Sequence, residues 1–388
     1  MLGLGLLTSC AASPAPKAPA SPSPTSGVAA VQTPAVAPTV DGVATLTEGY
    51  CKCATLHMIS LGGNEVGSVT LAPGVLPPIA SGTNGIYYVL GYQLMRLDDD
   101  GSSAIVGTVA TAPTSPGVSV GPAPEQGSLE MAPGATEWGY LQSVSSGTTQ
   151  TQQLWLGEPN RAPKLLVSSP EGAAQASSEF PNGWSLQLLG WSDGSLVLAQ
   201  VPTGSESFAS QALEVSLVNP QTRAETLLTN SQNCPISAVS GTGSYLCFQQ
   251  GGGQATELET GLDGISTGAW SLPAGADYGA ATFNSSATQI LFANCNGCGA
   301  GPSAADLSSQ MEVLDLTTGS LVQIAGTGLV PDAWLPNGQI VATKYTKLAY
   351  AVKGAAPLSE VVLVDGSTGQ ITALSDDSTS QFVGIATS

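Results

Sequence analysis

The chain has 388 residues, only 10% of them charged, and its formal net charge is −19 because just nine residues are Lys or Arg. It is too apolar and too weakly charged for a disordered protein, and its 47 Gly and 27 Pro suit many short strands joined by turns. The negative charge argues against general nucleic-acid binding, because phosphates would be repelled.

The first predicted element is an export signal. Leu7-Thr8-Ser9-Cys10 follows an apolar stretch and resembles the lipobox of bacterial lipoproteins, in which the Cys is lipidated and becomes the new N-terminus. The alternative is a chance match in an apolar start. No Lys or Arg precedes Cys10, although a secretion signal normally begins with basic residues. We therefore expect the natural start to lie upstream, or the chain to be truncated.

The next predicted element is a tether. Residues 11–38 are almost entirely Pro, Ala, Ser, Thr, Val and Gly, and such a segment cannot bury a core. The predicted organisation is a lipoprotein signal at 1–10, a flexible tether at 11–38 and a folded domain at 39–388. No later stretch has the roughly 20 uninterrupted apolar residues of a membrane span. The expected location is extracytoplasmic, anchored to the bacterial cell membrane by the lipidated Cys10.

The folded region contains a repeated pair of hairpins. DAWLPNGQIVATK (332–344), GWSDGSLVLAQ (190–200) and TFNSSATQILFAN (282–294) each place an aromatic residue and a polar turn before an apolar strand. A second hairpin follows each, most clearly at 311–326 and 360–375, and its strands alternate as half-buried outer strands do. Four strands recurring about every 40 to 60 residues predict an all-β fold, a β-propeller.

The aromatic-x-Pro-Asp/Asn-Gly-x-apolar pattern resembles the repeats of bacterial TolB-like, or WD40-like (PD40-type), β-propellers, including lipoproteins. The residues that carry this resemblance are Trp334, Pro336, Asn337, Gly338, Trp191, Asp193 and Gly194. The predicted four-stranded blades are 78–108, 127–169, 184–229, 235–272, 278–326 and 330–375. A seventh would combine the segment 42–72 with the unpaired C-terminal strand 382–387, so that the N- and C-terminal strands close the ring. A different division of the region 109–169 would give six or eight blades.

The predicted binding face is the one that carries the long connections 201–210, 295–309 and 344–358, because insertions in a propeller collect on its binding face. The last connection is rich in bases and aromatic rings, which could bind an anionic group or a glycan ring. Its candidate binding residues are Lys344, Tyr345, Lys347, Tyr350 and Lys353. The alternative is a solvated loop whose lysines only aid solubility.

The cysteines predict disulfides. Without Cys10, six remain, an even number in an exported chain. They are Cys51, Cys53, Cys234, Cys247, Cys295 and Cys298. Cys234 and Cys247 flank one hairpin and would lie nearly opposite each other, whereas Cys295 and Cys298 could close a local loop. The alternative for Cys51, Cys53, Cys295 and Cys298 is a four-cysteine zinc site.

The sequence offers no convincing catalytic constellation. His57 is the only histidine and lies in a strand pattern, so a packed or half-exposed strand residue is the expected role. Gly117–Gly121 matches the nucleophile-elbow string without the following helix, and Asp98–Gly101 and Asp376–Asp377 are expected to be solvated turns rather than calcium sites. The leading interpretation is a binding or scaffolding module for an envelope protein, peptide or glycan, with no cofactor. The alternatives are a lyase or hydrolase that uses the central channel, and a purely structural envelope protein.

Overall fold

The computed structural model describes the residues in these ranges: 39–48, 54–71, 77–109, 118–122, 128–134, 136–146, 149–170, 184–202, 214–228, 236–251, 254–262, 265–273, 277–295, 308–324, 326–347, 358–375 and 380–388. All of them belong to one compact unit, Pro38–Ser388. The predicted signal and tether lie outside the described residues. Among the described residues, no helix is long and apolar enough to cross a membrane.

Every element of the described residues is a β-strand. The first seven strands are β1 (Val40–Glu48), β2 (Ala54–Ile59), β3 (Glu65–Thr70), β4 (Ile79–Thr83), β5 (Gly85–Leu90), β6 (Gln93–Leu97) and β7 (Ser103–Thr108). The next nine are β8 (Val118–Pro122), β9 (Leu129–Met131), β10 (Trp138–Ser146), β11 (Thr149–Gly157), β12 (Lys164–Pro170), β13 (Trp184–Ser192), β14 (Ser195–Pro202), β15 (Glu214–Val218) and β16 (Glu225–Leu228). The following eight are β17 (Ile236–Val239), β18 (Ser244–Gly251), β19 (Gln254–Leu262), β20 (Ile265–Ser271), β21 (Asp277–Phe283), β22 (Gln289–Cys295), β23 (Gln310–Asp315) and β24 (Leu321–Ile324). The last five are β25 (Leu329–Trp334), β26 (Gln339–Lys347), β27 (Leu358–Asp365), β28 (Ile371–Ala373) and β29 (Gln381–Thr387).

The strands pair mostly with their neighbours in sequence. Four sheets have four strands each, in the orders β13-β14-β15-β16, β17-β18-β19-β20, β21-β22-β23-β24 and β25-β26-β27-β28. A fifth has the order β12-β11-β10-β8, with β9 also pairing β10. The remaining sheet has eight strands, β3-β2-β1-β29-β4-β5-β6-β7. In it β29 pairs antiparallel with β1 along most of its length and parallel with β4 at only two residue pairs.

Turn chemistry fixes the first hairpin of the repeat. In the quoted stretch DAWLPNGQIVATK, Trp334 at the end of β25 lies opposite Ile340 in β26. The Leu335 N–H donates to the Gln339 carbonyl at 2.8 Å, and the Gly338 N–H donates to the Leu335 carbonyl at 3.0 Å. Gly338 has a φ of 85°, a left-handed conformation that glycine adopts without a Cβ clash. The predicted Pro-Asn-Gly turn is confirmed.

A carboxylate or amide side chain fixes the second hairpin. The Oδ1 atom of Asp365 accepts hydrogen bonds from the backbone N–H groups of Ser367 at 2.9 Å and Thr368 at 2.8 Å. Asp315 and Asn219 accept from the N–H groups two and three positions further along in the same way. These bonds, led by the Ser367 hydroxyl, lower the pKa of Asp365 to about 2. The recurring Asp/Asn in this hairpin is therefore a turn-forming residue.

The core consists of apolar clusters between successive sheets. One cluster joins Leu291 and Met311 of the β21–β24 sheet to Ile340 and Val364 of the β25–β28 sheet, and Trp334 packs against it. Trp334 therefore packs at the contact between two neighbouring sheets. Another cluster lies between the β17–β20 sheet and the β21–β24 sheet. It contains three aromatic rings in mutual contact, those of Phe248, Tyr278 and Phe292.

Burial corrects one expectation about the outer strands. The second hairpin was expected to be half-buried, but β27 is buried on both faces, with Val361, Val362, Leu363 and Val364 at most 5% exposed. The reason is that sheets pack against both sides of β27. The fourth strands fit the expectation better, because three of the four residues in β16 and in β24 are exposed.

Two predicted boundaries are wrong. The predicted loop from Lys344 begins later, because β26 continues to Lys347 by pairing with β27. Cys295 is the last residue of β22 rather than a loop residue. The region 109–169 also contains β8, a strand outside the predicted blade that pairs with the end of β10.

Candidate functional site

The predicted basic and aromatic residues are divided between a strand and a part of the chain that is not described. Lys344 lies in β26 opposite Glu360 of β27, and its Nζ atom is 3.9 Å from a Glu360 carboxylate oxygen. The Tyr345 N–H donates to the Gly328 carbonyl at 2.8 Å. Lys347 ends β26, whereas Tyr350 and Lys353 lie outside the described residues. Lys344 is therefore partly neutralised by a neighbouring carboxylate, and a ligand role for this group stays a prediction.

The cysteine predictions are tested only at Cys247. Cys247 is a buried residue of β18, opposite Ile236 in register, and it is disulfide-bonded. Cys234, two residues before Ile236, lies outside the described residues, so its pairing with Cys247 stays a prediction. Cys51, Cys53 and Cys298 also lie outside them, and nothing is described of the Cys295 side chain. The described residues contain no group of three or more His, Cys, Asp or Glu arranged for a metal ion.

Strands β1, β2 and β3 contain a chain of polar contacts around His57, the only histidine of the sequence. The Nε2 atom of His57 in β2 is 2.9 Å from the Thr47 hydroxyl oxygen in β1. Its Nδ1 atom is 2.8 Å from a carboxylate oxygen of Glu65 in β3. Hydrogen bonds from Ser68 and His57 lower the pKa of Glu65, so this carboxylate is ionised near neutral pH. The expected half-exposed strand position of His57 is confirmed at 23% exposure of its side chain.

Strand register explains why these three side chains meet. Thr45 lies opposite His57, and Thr47 is on the same face of β1 because alternate residues share a face. On the other side, His57 lies opposite Ser68, and a register shift after Met58 moves Glu65 toward the imidazole. Sequence reasoning missed this group because Gly67, which lies beside the β2–β3 shift, does not by itself specify that the register changes there.

A similar polar contact recurs in other sheets. Gln249 donates to Glu259 at 2.7 Å, and Asn294 donates to Glu312 at 2.7 Å. Each contact joins the second strand of a sheet to its third strand, as the Thr47–His57 contact joins β1 to β2. In each sheet the contact lies near the end at which the chain passes from the second strand to the third. We call this end of the sheets the loop face; the long connections 203–213, 296–309 and 348–357 leave from it.

Glu312 adds a buried carboxyl group to this end. Its side chain is 7% exposed, one oxygen accepts from Asn294, and the other has no hydrogen-bond partner among the described residues. Tyr278 lies close enough that Glu312 adds to the effect of burial, and together they raise the pKa of Tyr278 to about 12. The loop face is therefore polar and acidic above an apolar interior.

Two further carboxyl groups lie in the first strands of their sheets. Burial raises the pKa of Glu130 in β9 to about 8 and that of Asp332 in β25 to about 7. Asp332 occupies a bulge between Pro331 and Ala333 and accepts a 2.8 Å hydrogen bond from the Thr343 hydroxyl. Each residue keeps a partly exposed surface, yet the surrounding protein removes enough water for desolvation to dominate. The sequence signal would have been an acid in an otherwise apolar inner strand.

No protein-family model matches this chain, and no curated protein matches it in sequence. Among solved structures, it is similar to a puromycin-hydrolysing peptidase of Mycobacterium tuberculosis, at 13% identity and a TM-score of 0.50 over 86% of this chain and 53% of that one. It is also similar to oligogalacturonate lyase from Vibrio parahaemolyticus, at 10% identity and a TM-score of 0.48 over 78% of this chain and 88% of that one. TolB from Acinetobacter baumannii gives 11% identity and a TM-score of 0.41 over 88% of this chain and 67% of that one.

These likenesses concern the fold alone, since sites on a shared fold carry unrelated functions. The chain spans about half of the peptidase, with which it shares the highest TM-score of the three. Successive sheets of four strands, each built from strands that are neighbours in sequence, are the architecture of a β-propeller. The described domain is an all-β protein of the β-propeller class.

Proposed function

We propose that the protein is a lipid-anchored, extracytoplasmic β-propeller of seven blades that binds or scaffolds a protein, peptide or glycan of the cell envelope. Cys10 would carry the lipid, residues 11–38 would act as the tether, and the loop face would meet the ligand. The proposal combines the lipobox-like Leu7–Cys10 with the rigid fold that follows it. An anchor, a spacer and a propeller are what a surface-held binding module requires.

The observation that carries the blade number is the contact between the two ends of the chain. The β25–β28 sheet packs through Val341 and Leu363 against Val43 and Ile59 of β1 and β2. The strand β29 supplies the fourth strand beside β1. The eight-stranded sheet then divides into two blades, β29-β1-β2-β3 and β4-β5-β6-β7, which are linked by the short parallel contact of their inner strands. This arrangement supports a closed ring of seven.

The binding role rests on the loop face. Recurring amide, hydroxyl and carboxylate groups there can hydrogen-bond a peptide backbone or sugar hydroxyls, and Glu312 keeps one acceptor oxygen free of described partners. Long connections join the second and third strands of three sheets at this end, and loops held by a rigid scaffold commonly carry binding residues.

Lipid attachment is tested by metabolic labelling. In a bacterium that produces the protein with its native N-terminal region, labelled palmitate is expected to appear on the protein, and Cys10→Ala should abolish the label because the thiol is the acylated group. Gel fluorography of the purified protein measures the result. Cys53→Ala is the matched control and should keep full label. Label that persists in the Cys10→Ala protein would disprove the anchor.

Ligand binding by the loop face is tested by removing two positive charges from it. Crosslinking on intact cells followed by purification should recover an envelope protein or glycan, and Lys347→Gln with Lys353→Gln should reduce recovery severalfold because two cations beside the site are lost. Arg161→Gln with Arg223→Gln is the matched control, since it removes the same charge from turns at the other end of the sheets. Equal loss in both variants would show a general charge effect, and no loss in either would remove the lysines from the proposed site.

A further inference from the structure

The geometry points to a chemical activity that is distinct from the proposed ligand binding and includes the Thr47–His57 contact of the loop face. We propose that Thr47, His57 and Glu65 form a nucleophile–base–carboxylate group that takes an acyl group from a small ester and transfers it to water. The three side chains come from the adjacent strands β1, β2 and β3, and the two contacts of 2.9 and 2.8 Å join them in series. A hydroxyl within reach of a base, with the base oriented by a third group, is the arrangement that activates a nucleophile.

The directions of the hydrogen bonds suit this chemistry. Glu65 is acceptor-only when ionised, and contacts with Ser68 and His57 lower its pKa. The Nδ1–H group of His57 therefore donates to Glu65, which leaves the Nε2 lone pair as the acceptor of the Thr47 hydroxyl proton. This is the tautomer that a general base needs.

The position of the group allows access to a small molecule. Beneath it, Val43 and Ile59 belong to the apolar cluster between the first and last sheets and are at most 6% exposed. Above it, His57 and Glu65 are 23% and 52% exposed at their side chains, and Thr47 is partly exposed. The imidazole thus lies at the boundary between an apolar interior and solvent.

A second hydroxyl lies on the same face. Thr45 is directly opposite His57 in register, is fully buried, and its hydroxyl makes no hydrogen bond to the described residues. Successive same-face residues of a strand are about 7 Å apart. Thr45 is therefore too deep and too far from Thr47 to contact the ester oxygen, and the proposed attack rests on Thr47, His57 and Glu65.

The proposed reaction has two balanced steps. The Thr47 oxygen attacks the ester carbonyl carbon while His57 Nε2 takes the hydroxyl proton; the bond to the leaving alcohol breaks, and the alcohol departs with that proton. Water then attacks the acyl-threonine, His57 takes a proton from the water, and the proton returns to the Thr47 oxygen as the carboxylic acid leaves. Thr47 and His57 are the catalytic residues, and Glu65 is a positioning residue.

The test is acetylation of the whole protein by p-nitrophenyl acetate. Peptide mass spectrometry after a short exposure should find the acetyl group on Thr47, with release of p-nitrophenolate. His57→Gln should lower the rate of acetylation at this residue by about 10²-fold or more, the usual contribution of a general base. Glu65→Gln should lower the rate, and Glu65→Asp should restore part of it, while both variants keep the urea midpoint of the parent.

Controls separate this site from non-specific acetylation. Thr55→Val is the matched variant, because Thr55 lies opposite Thr47 in the same sheet, and it should keep the parent rate. Thr47→Val should lose the acetyl group, and Thr47→Ser should regain it, which shows that the hydroxyl rather than folding is at issue. Acetyl groups found only on lysines or the N-terminus, or an unchanged rate in His57→Gln, would overturn the proposal. Neither result would bear on ligand binding at the loop face.

Discussion

Removal of strand β29 is expected to unfold the domain under conditions in which the whole chain is folded. Without residues 381–388, the antiparallel ladder to β1 and the short parallel contact with β4 are both lost. Each of these strands would then expose an unpaired edge. Exposed edges of this kind destabilise a sheet protein and promote aggregation.

The expected size of the effect follows from burial. Ala386 is fully buried, and Phe382 and Ile385 pack against the apolar cluster that joins the first and last sheets. Burial of one large aliphatic or aromatic side chain contributes about 1.5–3 kcal/mol. The loss of several such side chains together with a strand's hydrogen bonds approaches the 5–15 kcal/mol total stability of a typical domain. We therefore expect a collapse of stability rather than a graded change.

Urea unfolding followed by circular dichroism measures the result. A more selective variant is Ala386→Asp, which places a charge at a fully buried position; its matched control is Gln381→Asp, at an exposed position of the same strand. The first should lower the midpoint strongly and the second hardly at all. A synthetic peptide of residues 380–388 should restore folding of the shortened chain in proportion to its concentration. A shortened chain with the parent midpoint would contradict the proposed ring closure.

The same strand shows what the sequence can predict. The run FVGIAT was recognisable as an apolar strand without a partner, and the segment 42–72 as a hairpin that lacked an inner strand, so their pairing could be predicted without coordinates. The turns could also be predicted from the sequence, because Gly338 and Asp365 form their turn hydrogen bonds with residues only a few positions away. Local signals of this kind depend only on neighbouring residues, and they located the hairpins to within a few positions.

Other features depend on contacts that the sequence does not display. Two irregularities of register are of this kind: the bulge that sets Asp332 between two paired residues, and the shift after Met58 that brings Glu65 to His57. Pro331 and Gly67 lie beside them, but neither residue type specifies which neighbour is left unpaired or which face its side chain takes. In the region 109–169, two strands, β8 and β9, pair with the same side of β10, whereas a single inner strand was predicted. The Lys344–Glu360 contact could not be predicted either, because the sequence did not show that β26 continues past Lys344. The candidate site was therefore less predictable than the fold.

Replacement of Asp332 by Asn is expected to stabilise the domain at pH 7 and above and to leave its stability near pH 4 almost unchanged. Burial raises the pKa of Asp332 from 3.8 to about 7, although the Thr343 hydroxyl opposes this rise. Asn keeps the size of the side chain and an oxygen that accepts from Thr343, but it has no charge to desolvate.

The sign of the pH dependence follows from proton binding. Between about pH 4 and 7 the native carboxyl holds a proton that the unfolded chain has lost, so native stability falls as pH rises through this window and is level above it. Each unit of pKa difference corresponds to about 1.4 kcal/mol, which makes the expected gain in Asp332→Asn on the order of a few kcal/mol at pH 8. The gain should shrink steadily toward pH 4.

Asp365 provides the matched control, because its pKa is displaced in the opposite direction. Turn hydrogen bonds lower that pKa to about 2, so the ionised Asp365 stabilises the native state above about pH 4, and this contribution is lost as pH falls toward 2. Asp365→Asn should therefore destabilise the domain at neutral pH, where Asp332→Asn stabilises it. Urea midpoints measured from pH 4 to pH 8 compare the two variants directly. If the Asp332→Asn protein keeps the pH profile of the parent, the Asp332 carboxyl is hydrated in the native state and is not a buried acid of β25.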